Sequence, residues 1–310
     1  MTAFTRRNFI GTAAAAVGSF ATLQKIAGAD RSKSDPGPAN RPLDGQDPDS
    51  MWPPDTDSKS LVQNFKYPFS FANKRTYEGG WSREVTVREL GVSKSLAGVN
   101  MRLTAGGIRE LHWHTADEWA IVLYGTARIT AIDRDGKSFV ADVKKSDLWY
   151  FPSGIPHSIQ GLDPDGTEFM LVFDDGNFSE SETVLLSDSM AHLPPEVLSK
   201  NFGVAEAALK NLPKQELFIF QTAVPGSLEA DQKAAAGALG KSSSDFAFRT
   251  MDMPPTKRTK GGEVRIVDSN TFKVSTNVAM AMVTVHAGGL RELHWHPNAD
   301  EWQYYIAGKN

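Results

Sequence analysis

Apolar and polar positions change texture several times along this chain. From Gln63 onward, short β-favouring runs alternate with Gly, Asn and Asp punctuation: WSREVTVREL, VNMRL, EWAIVLYG, ARITAID, SFVADV, LWYFP and EFMLVF. Runs this short, spaced about 8–12 residues apart, predict the strands of a β-sandwich or barrel. Asp135-Gly136 and Asp165-Gly166 fall between runs and carry hairpin-turn chemistry. After Phe173 the alternation stops. Residues 174–183, DDGNFSESET, read as a polar loop. Residues 187–202 and 204–212 look helical, with Ser187 as a cap, Pro194-Pro195 opening a new turn and Pro213 ending the second segment. Residues 213–247 read as a linker with one apolar run, LFIF, and a low-complexity Ala/Gly/Ser stretch.

The strand texture then returns as a repeat. KRTKGGEV at 257–264 echoes KRTYEGG at 74–80. GGIRELHWHTADEWAIVLYG at 106–125 reappears as GGLRELHWHPNADEWQYYIAG at 288–308. The offset is 182 at the histidines and 183 at the glutamates, so one residue is added between His296 and Glu301. Two long similar blocks at one offset mean an internal duplication. The expected organisation is a first domain at 61–212 and a partial second copy at 248–310.

The N-terminus adds a destination. Thr5-Arg6-Arg7-Asn8-Phe9-Ile10 is a twin-arginine pattern, followed by an Ala-rich run and Ala27-Gly28-Ala29 as a small-x-small cleavage site. Residues 1–29 therefore predict a signal peptide for twin-arginine export, to the bacterial periplasm or beyond. Residues 30–60, rich in Pro, Asp and Ser, predict an extended arm that Met51 and Trp52 could anchor. A length of 310 residues suits about two domains. A net charge of −4 without a basic block argues against nucleic acid or an anionic membrane surface as partner. No apolar run reaches the ~18 residues of a membrane span. Cysteine is absent, so disulfides, thiolate ligands and Cys nucleophiles are excluded together.

The repeated block carries the chemistry. His112 and His114 alternate on a strand and so point to one face, with Trp113 opposite. Glu118 follows a short turn, Thr115-Ala116-Asp117. Two imidazoles and a carboxylate at that spacing are a metal-ligand set. His157, in the stiff segment FPSGIPH, is the candidate fourth ligand. These ligand types admit Mn, Fe, Ni or Zn. Simple alternation puts Arg109 on the face opposite His112. His192 and His286 have no repeat partner and read as structural or surface residues.

Gly106, His112, His114, Glu118 and Gly125 resemble the first cupin motif, as do Gly288, His294, His296, Glu301 and Gly308. Pro152, Gly154 and His157 resemble the second motif, whose leading Gly is Ser146 here and whose trailing Asn is Gly161. Stretches such as REVTVREL, IRELHWH, DLWYFPSGIPHSIQ and FMLVFDDG make the chain similar to the bicupin oxalate decarboxylases from about Trp52 onward. That resemblance implies an all-β fold: a double-stranded β-helix, or jelly-roll barrel, duplicated as a bicupin with a few short helices. It implies Mn(II) on His112, His114, Glu118 and His157, with His294, His296 and Glu301 as a second, incomplete site. The 39 residues from Glu118 to His157, counted from Glu301, run past Asn310, so the second barrel is expected to be incomplete.

The reaction implied is oxalate to formate and CO2, assisted by dioxygen, in trimers or hexamers. Heterolysis of oxalate would leave a carbanion on a carboxylate. The site therefore needs a redox metal, a cation over the substrate and a carboxylate that takes and returns a proton. The resemblance assigns Arg109 as the cation and Glu180, on a mobile lid, as the proton carrier. The family's Ser-Glu-Asn-Ser-Thr is Ser179-Glu180-Ser181-Glu182-Thr183 here, so Glu182 adds a charge beside Glu180. Oxalate oxidation to CO2 and H2O2, and a non-catalytic metal-binding cupin, stand as alternatives.

Overall fold

The computed structural model of the chain describes residues 65–237 and 240–308. The expected signal peptide (1–29), the arm (30–60) and the anchors Met51 and Trp52 lie outside the described residues. Among the described residues no helix is long and apolar enough to cross a membrane.

Eleven strands in order make the first half: β1 (Lys74–Tyr77), β2 (Gly80–Val85), β3 (Ala97–Leu103), β4 (Gly107–Trp113), β5 (Glu118–Tyr124), β6 (Thr126–Ile132), β7 (Ser138–Lys144), β8 (Leu148–Phe151), β9 (His157–Gly161), β10 (Thr167–Phe173) and β11 (Val184–Leu185). They form two antiparallel sheets. One runs β1-β2-β3-β10-β5-β8 and the other β11-β4-β9-β6-β7. Inward residues of the first sheet (Val99, Met101, Trp149, Phe169) meet those of the second (Ile129, Val143, Ile159) in one apolar core. This is a jelly roll of two layers whose sheets are not joined into a closed barrel. Asp135-Gly136 turns the hairpin between β6 and β7, with Gly136 at φ 76. Asp165-Gly166 does not make a hairpin: β9 and β10 belong to different sheets, so this turn carries the chain between layers.

The helical stretch after β11 breaks where proline removes a donor. Helices span Leu186–His192 and Pro195–Phe202, the latter closed by Gly203 at φ 64. Glu206–Asn211 is a 3-10 turn. Ser187 is not a cap. It lies inside the first helix, and its N–H and hydroxyl both donate to Glu110.

Residues 213–237 and 240–247 wrap the first jelly roll. β12 (Ile219–Gln221) pairs with β4, and β13 (Ala247–Phe248) extends the first sheet beyond β8. Between them Leu228–Ala236 is a helix capped by Ser227, tied to the second sheet by Arg128–Asp231 at 2.6 Å. Its Ala-rich composition reads as low complexity, yet Ala is the strongest helix former.

β14 (Lys257–Thr259), β15 (Gly262–Val267) and β16 (Met280–Val285) repeat the β1-β2-β3 arrangement in a third sheet. Val267 and Phe272 pack on Trp119, Ile121, Leu148, Tyr150 and Met170, on the outer side of the first sheet. β5 is thus covered on both faces, and its continuous apolar run WAIVL follows from that. Among the described residues no strand follows β16.

Two motif departures have visible consequences. Ser146 keeps the tight turn that glycine makes in the motif, at φ 73, donating its N–H to Val122 O at 2.8 Å. At Gly161 a side chain would place its Cβ 2.3 Å from Thr104 O, so the asparagine of the motif does not fit this backbone. A left-handed conformation costs a non-glycine residue roughly 1–2 kcal/mol. Ser146→Gly should therefore raise stability by about 1 kcal/mol in urea unfolding, and no gain would mean the turn holds Ser146 without strain.

Candidate metal centre

Three strand ends bring the ligand side chains together. His112 closes on β9 opposite His157, Glu118 opens β5, and His114 follows β4 directly. The ligand atoms of His112, His114, Glu118 and His157 all lie within 4.8 Å of one another, and all four residues are buried. Each imidazole is oriented by a main-chain carbonyl at its Nδ1: Glu110 O for His112 (2.7 Å), Ala116 O for His114 (2.7 Å) and Ile155 O for His157 (2.8 Å). The Nδ1 hydrogen is thereby fixed, and the Nε2 lone pairs turn inward. Trp149 Nε1 donates to Glu118 Oε1 at 2.8 Å, leaving Oε2 inside, 3.3 Å from Nε2 of both His114 and His157.

This donor set fits a divalent cation. Nε2 of His157 is buried without a hydrogen-bond partner, an arrangement that otherwise costs about 1–3 kcal/mol. Burial, reinforced by Arg109, holds the His112 imidazole well below its usual range, and burial also lowers His157, so both stay neutral. Burial opposes ionisation of Glu118, but the interactions of its Oε2 with the facing imidazoles of His157 and His114 outweigh it and keep the carboxyl below its usual range. Neutral imidazoles and an ionised carboxylate are the forms that bind metal.

Arg109 faces this site, contrary to simple alternation. Along β4 it pairs with Ile159 while His112 pairs with His157, so two residues oppose one and a bulge resets the parity. Glu110 pins the bulge. Its carboxylate accepts from the N–H groups of Ser187 (3.0 Å), Leu217 (3.1 Å) and Phe218 (2.7 Å) and from the Ser187 hydroxyl (2.8 Å). The Arg109 guanidinium is buried, 3.9 Å over the Phe218 ring, and lines the small cavity beside His112, His114 and Glu118. Burial pulls its pKa down, and Glu180, Glu118 and Glu110 oppose that.

Glu180 begins a short 3-10 turn, Glu180–Glu182, and closes the same cavity with Thr183 and the apolar walls of Phe173, Phe178, Ile159 and Leu171. Its Oε2 accepts from Arg75 Nη2 (2.7 Å) and the Ser82 hydroxyl (2.9 Å), and its N–H donates to Glu84 (3.0 Å). Burial raises its pKa, against the pull of Arg109 and Arg75. A second, polar cavity lies on the other side of Glu180 and Thr183, lined by Arg75, Tyr77, Asp188 and Glu216. Glu182 is exposed, and the neighbouring acid acting on Glu180 is Glu84. Sequence reasoning missed Arg75, Ser82 and Glu84. The KRT echo at 74–76 and 257–259 was the one visible trace of Arg75, and Ser82 and Glu84 left none.

His294, His296 and Glu301 also come within 4.8 Å of one another, but all three are exposed and on no strand. Glu301 Oε2 lies 2.5 Å from His296 Nε2 and 3.4 Å from His294 Nε2.

The chain is similar to known proteins over most of its length. The cupin profile matches residues 69–210 and 249–310. The oxalate decarboxylase OxdC of Bacillus subtilis (strain 168) is 52% identical over 272 residues, 88% of this chain and 69% of that protein. A probable oxalate decarboxylase of Arthroderma benhamiae is 36% identical over 88% of this chain and 67% of its own length. A solved structure of the Bacillus subtilis enzyme, from work on its Mn(II) centres, superposes with a TM-score of 0.74 at 51% identity, over 84% of this chain and 68% of that one. The chain belongs to the cupins, in the bicupin oxalate decarboxylase family.

Proposed function

We propose that the first centre decarboxylates oxalate to formate and CO2, with Mn(II) on His112, His114, Glu118 and His157 and with dioxygen as co-catalyst. The observation that carries this reading is the buried three-histidine, one-carboxylate set sharing one small cavity with an inward Arg109 and an inward Glu180. The bound ion would supply a one-electron redox centre and a positive charge for an anionic substrate.

The chain's own residues supply the rest. Arg109, held by Phe218 and unable to reach bulk water, pairs with a substrate carboxylate and orients it. A planar guanidinium suits a carboxylate because it donates two parallel hydrogen bonds. Hydrogen oxalate contains the same atoms as formate and CO2 together. The reaction therefore consumes no net proton: one proton moves from a carboxyl oxygen to carbon. Glu180 takes that proton and returns it. Its raised pKa suits a group that must hold a proton part of the time. The aromatic walls exclude water, which would otherwise compete as proton source. Glu182 faces solvent and takes no part in that transfer.

Metal content tests the ligand set. His157→Ala should lower Mn(II) bound at this centre below detection after desalting, measured by elemental analysis in a His296→Ala background that disables the exposed triad. Retained metal would show that His157 is not a ligand.

Formate release tests the proton carrier. Glu180→Gln should lower it by about 10²–10⁴-fold with metal still bound, while Glu182→Gln should stay within a few-fold. Equal losses in both variants would sink the assignment. Peroxide in place of formate from the wild type would point to oxidation.

The same substitution has a signature in stability. The folded-state pKa of Glu180 lies above the free value of 4.5, so the folded state holds this proton more tightly. The carboxyl's contribution is present below 4.5 and is lost as pH rises through the folded-state value. The melting temperature of Glu180→Gln, compared with wild type, should therefore gain as pH rises above 4.5. A parallel pH profile for the two proteins would contradict this.

A further inference from the structure

The two copies grip each other through equivalent residues. Ser95 and Asn277 correspond at the repeat offset of 182, and Asp117 and Asp300 correspond at 183. Asp300, beside Glu301, accepts from the Ser95 hydroxyl of the first copy. Asp117, beside Glu118, accepts from Asn277 Nδ2 of the second copy at 2.7 Å. The loops that carry Ser95 and Asn277 have the same internal bonds: Ser93 Oγ to Leu96 O at 2.6 Å, and Ser275 Oγ to Val278 O at 2.5 Å. The tryptophans next in line behave alike. Trp302 packs on Gly98 of the first copy, and Trp119 clusters with Met280, the residue equivalent to Gly98, in the second. This is an isologous contact within a single chain, in which each copy offers the same patch to the other.

What Asp117 does at the first centre gives the contact a consequence. The Asp117 side chain is buried, and its carboxylate accepts hydrogen bonds from Ser153, Tyr150 and Asn277, none of them a metal ligand. Its Oδ1 accepts from the N–H of Ser153 at 2.6 Å, inside the loop that leads to His157. Its Oδ2 accepts from the Tyr150 hydroxyl on β8 as well as from Asn277. Its own N–H donates to Asp174 at 2.8 Å, and Asn277 Nδ2 also reaches Asp174, at 3.2 Å. Asp117 thus ties the turn bearing Glu118 to the loop bearing His157. Asn277 is the donor that the second copy adds to that tie.

We propose that Asn277 is a positioning residue for the first metal centre. From the second copy, through Asp117, it holds the Glu118 turn and the His157 loop at ligand spacing. This rests on the metal-site reading of His112, His114, Glu118 and His157. Partners that orient ligands at one remove typically change metal affinity by about 10–100-fold when lost. Asn277 is exposed and shares its task with Tyr150 and Ser153, so its loss belongs at the lower end of that range.

The test is Mn(II) titration of the full chain carrying His296→Ala, so that only the first centre reports. Asn277→Ala should weaken Mn(II) binding about tenfold while leaving the metal-free melting temperature unchanged. Asn277→Thr, which restores a donor, should recover part of the loss. Asp117→Ala should weaken binding at least as much, and the double variant should lose less than the two single losses combined, because both act through one contact. Ser95→Ala, the equivalent donor on the other side, should leave the first centre's affinity unchanged. Unchanged affinity in Asn277→Ala would overturn the proposal, as would an equal loss in Ser95→Ala, which would mean general loosening between the copies. Absence of Mn(II) binding in the His296→Ala parent would instead defeat the metal-site reading, and this proposal with it.

Discussion

Everything at this site depends on keeping three imidazoles convergent inside an apolar jelly roll. A buried imidazole with its proton on the wrong nitrogen is useless as an inward ligand. The chain solves this with main chain: carbonyls of Glu110, Ala116 and Ile155 take the three Nδ1 protons. Burial then holds His112 and His157 in the neutral form. Each of those carbonyls lies within two residues of the histidine it orients, so strand and loop geometry fixes the tautomers, with no further charged side chains needed.

Charge at the site is balanced at the next remove. Arg109 and Arg75 bring positive charge to a cavity that holds Glu118 and Glu180. Glu180 gathers Arg75 and Ser82 on one oxygen and borders the polar outer cavity as well as the inner one. Its segment is thus the wall between them. In this arrangement Glu180 and Thr183 separate the two cavities, and Glu180 faces Arg109 with little room for water. The Glu180 segment is held by a specific ion pair to Arg75 at 2.7 Å.

Much of this was legible in the sequence, and for a physical reason. Strand runs, turn residues and the spacing His-x-His-x3-Glu are local patterns, and local patterns survive folding unchanged. The quartet His112, His114, Glu118 and His157 is brought together by the strands those patterns predict. What stayed hidden depends on partners far along the chain. The inward face of Arg109 comes from a bulge whose pin, Glu110, finds its donors at Ser187, Leu217 and Phe218. Ser187 has a capping residue's chemistry but spends it on Glu110. Glu182 stands next to Glu180 in sequence and faces away from it, whereas Glu84 is remote in sequence and near in space. The helix Leu228–Ala236 was masked by a composition that serves linkers and helices equally.

In the proposed reaction the first centre moves one proton from oxygen to carbon while releasing one CO2. The most direct measurement is the product balance of the Mn-loaded chain on oxalate, with formate, CO2 and peroxide counted together. The expected result is formate and CO2 in equal amounts with no net proton uptake from hydrogen oxalate and no accumulating peroxide. CO2 with peroxide and no formate, or a fully metal-loaded chain that leaves oxalate intact, would contradict it.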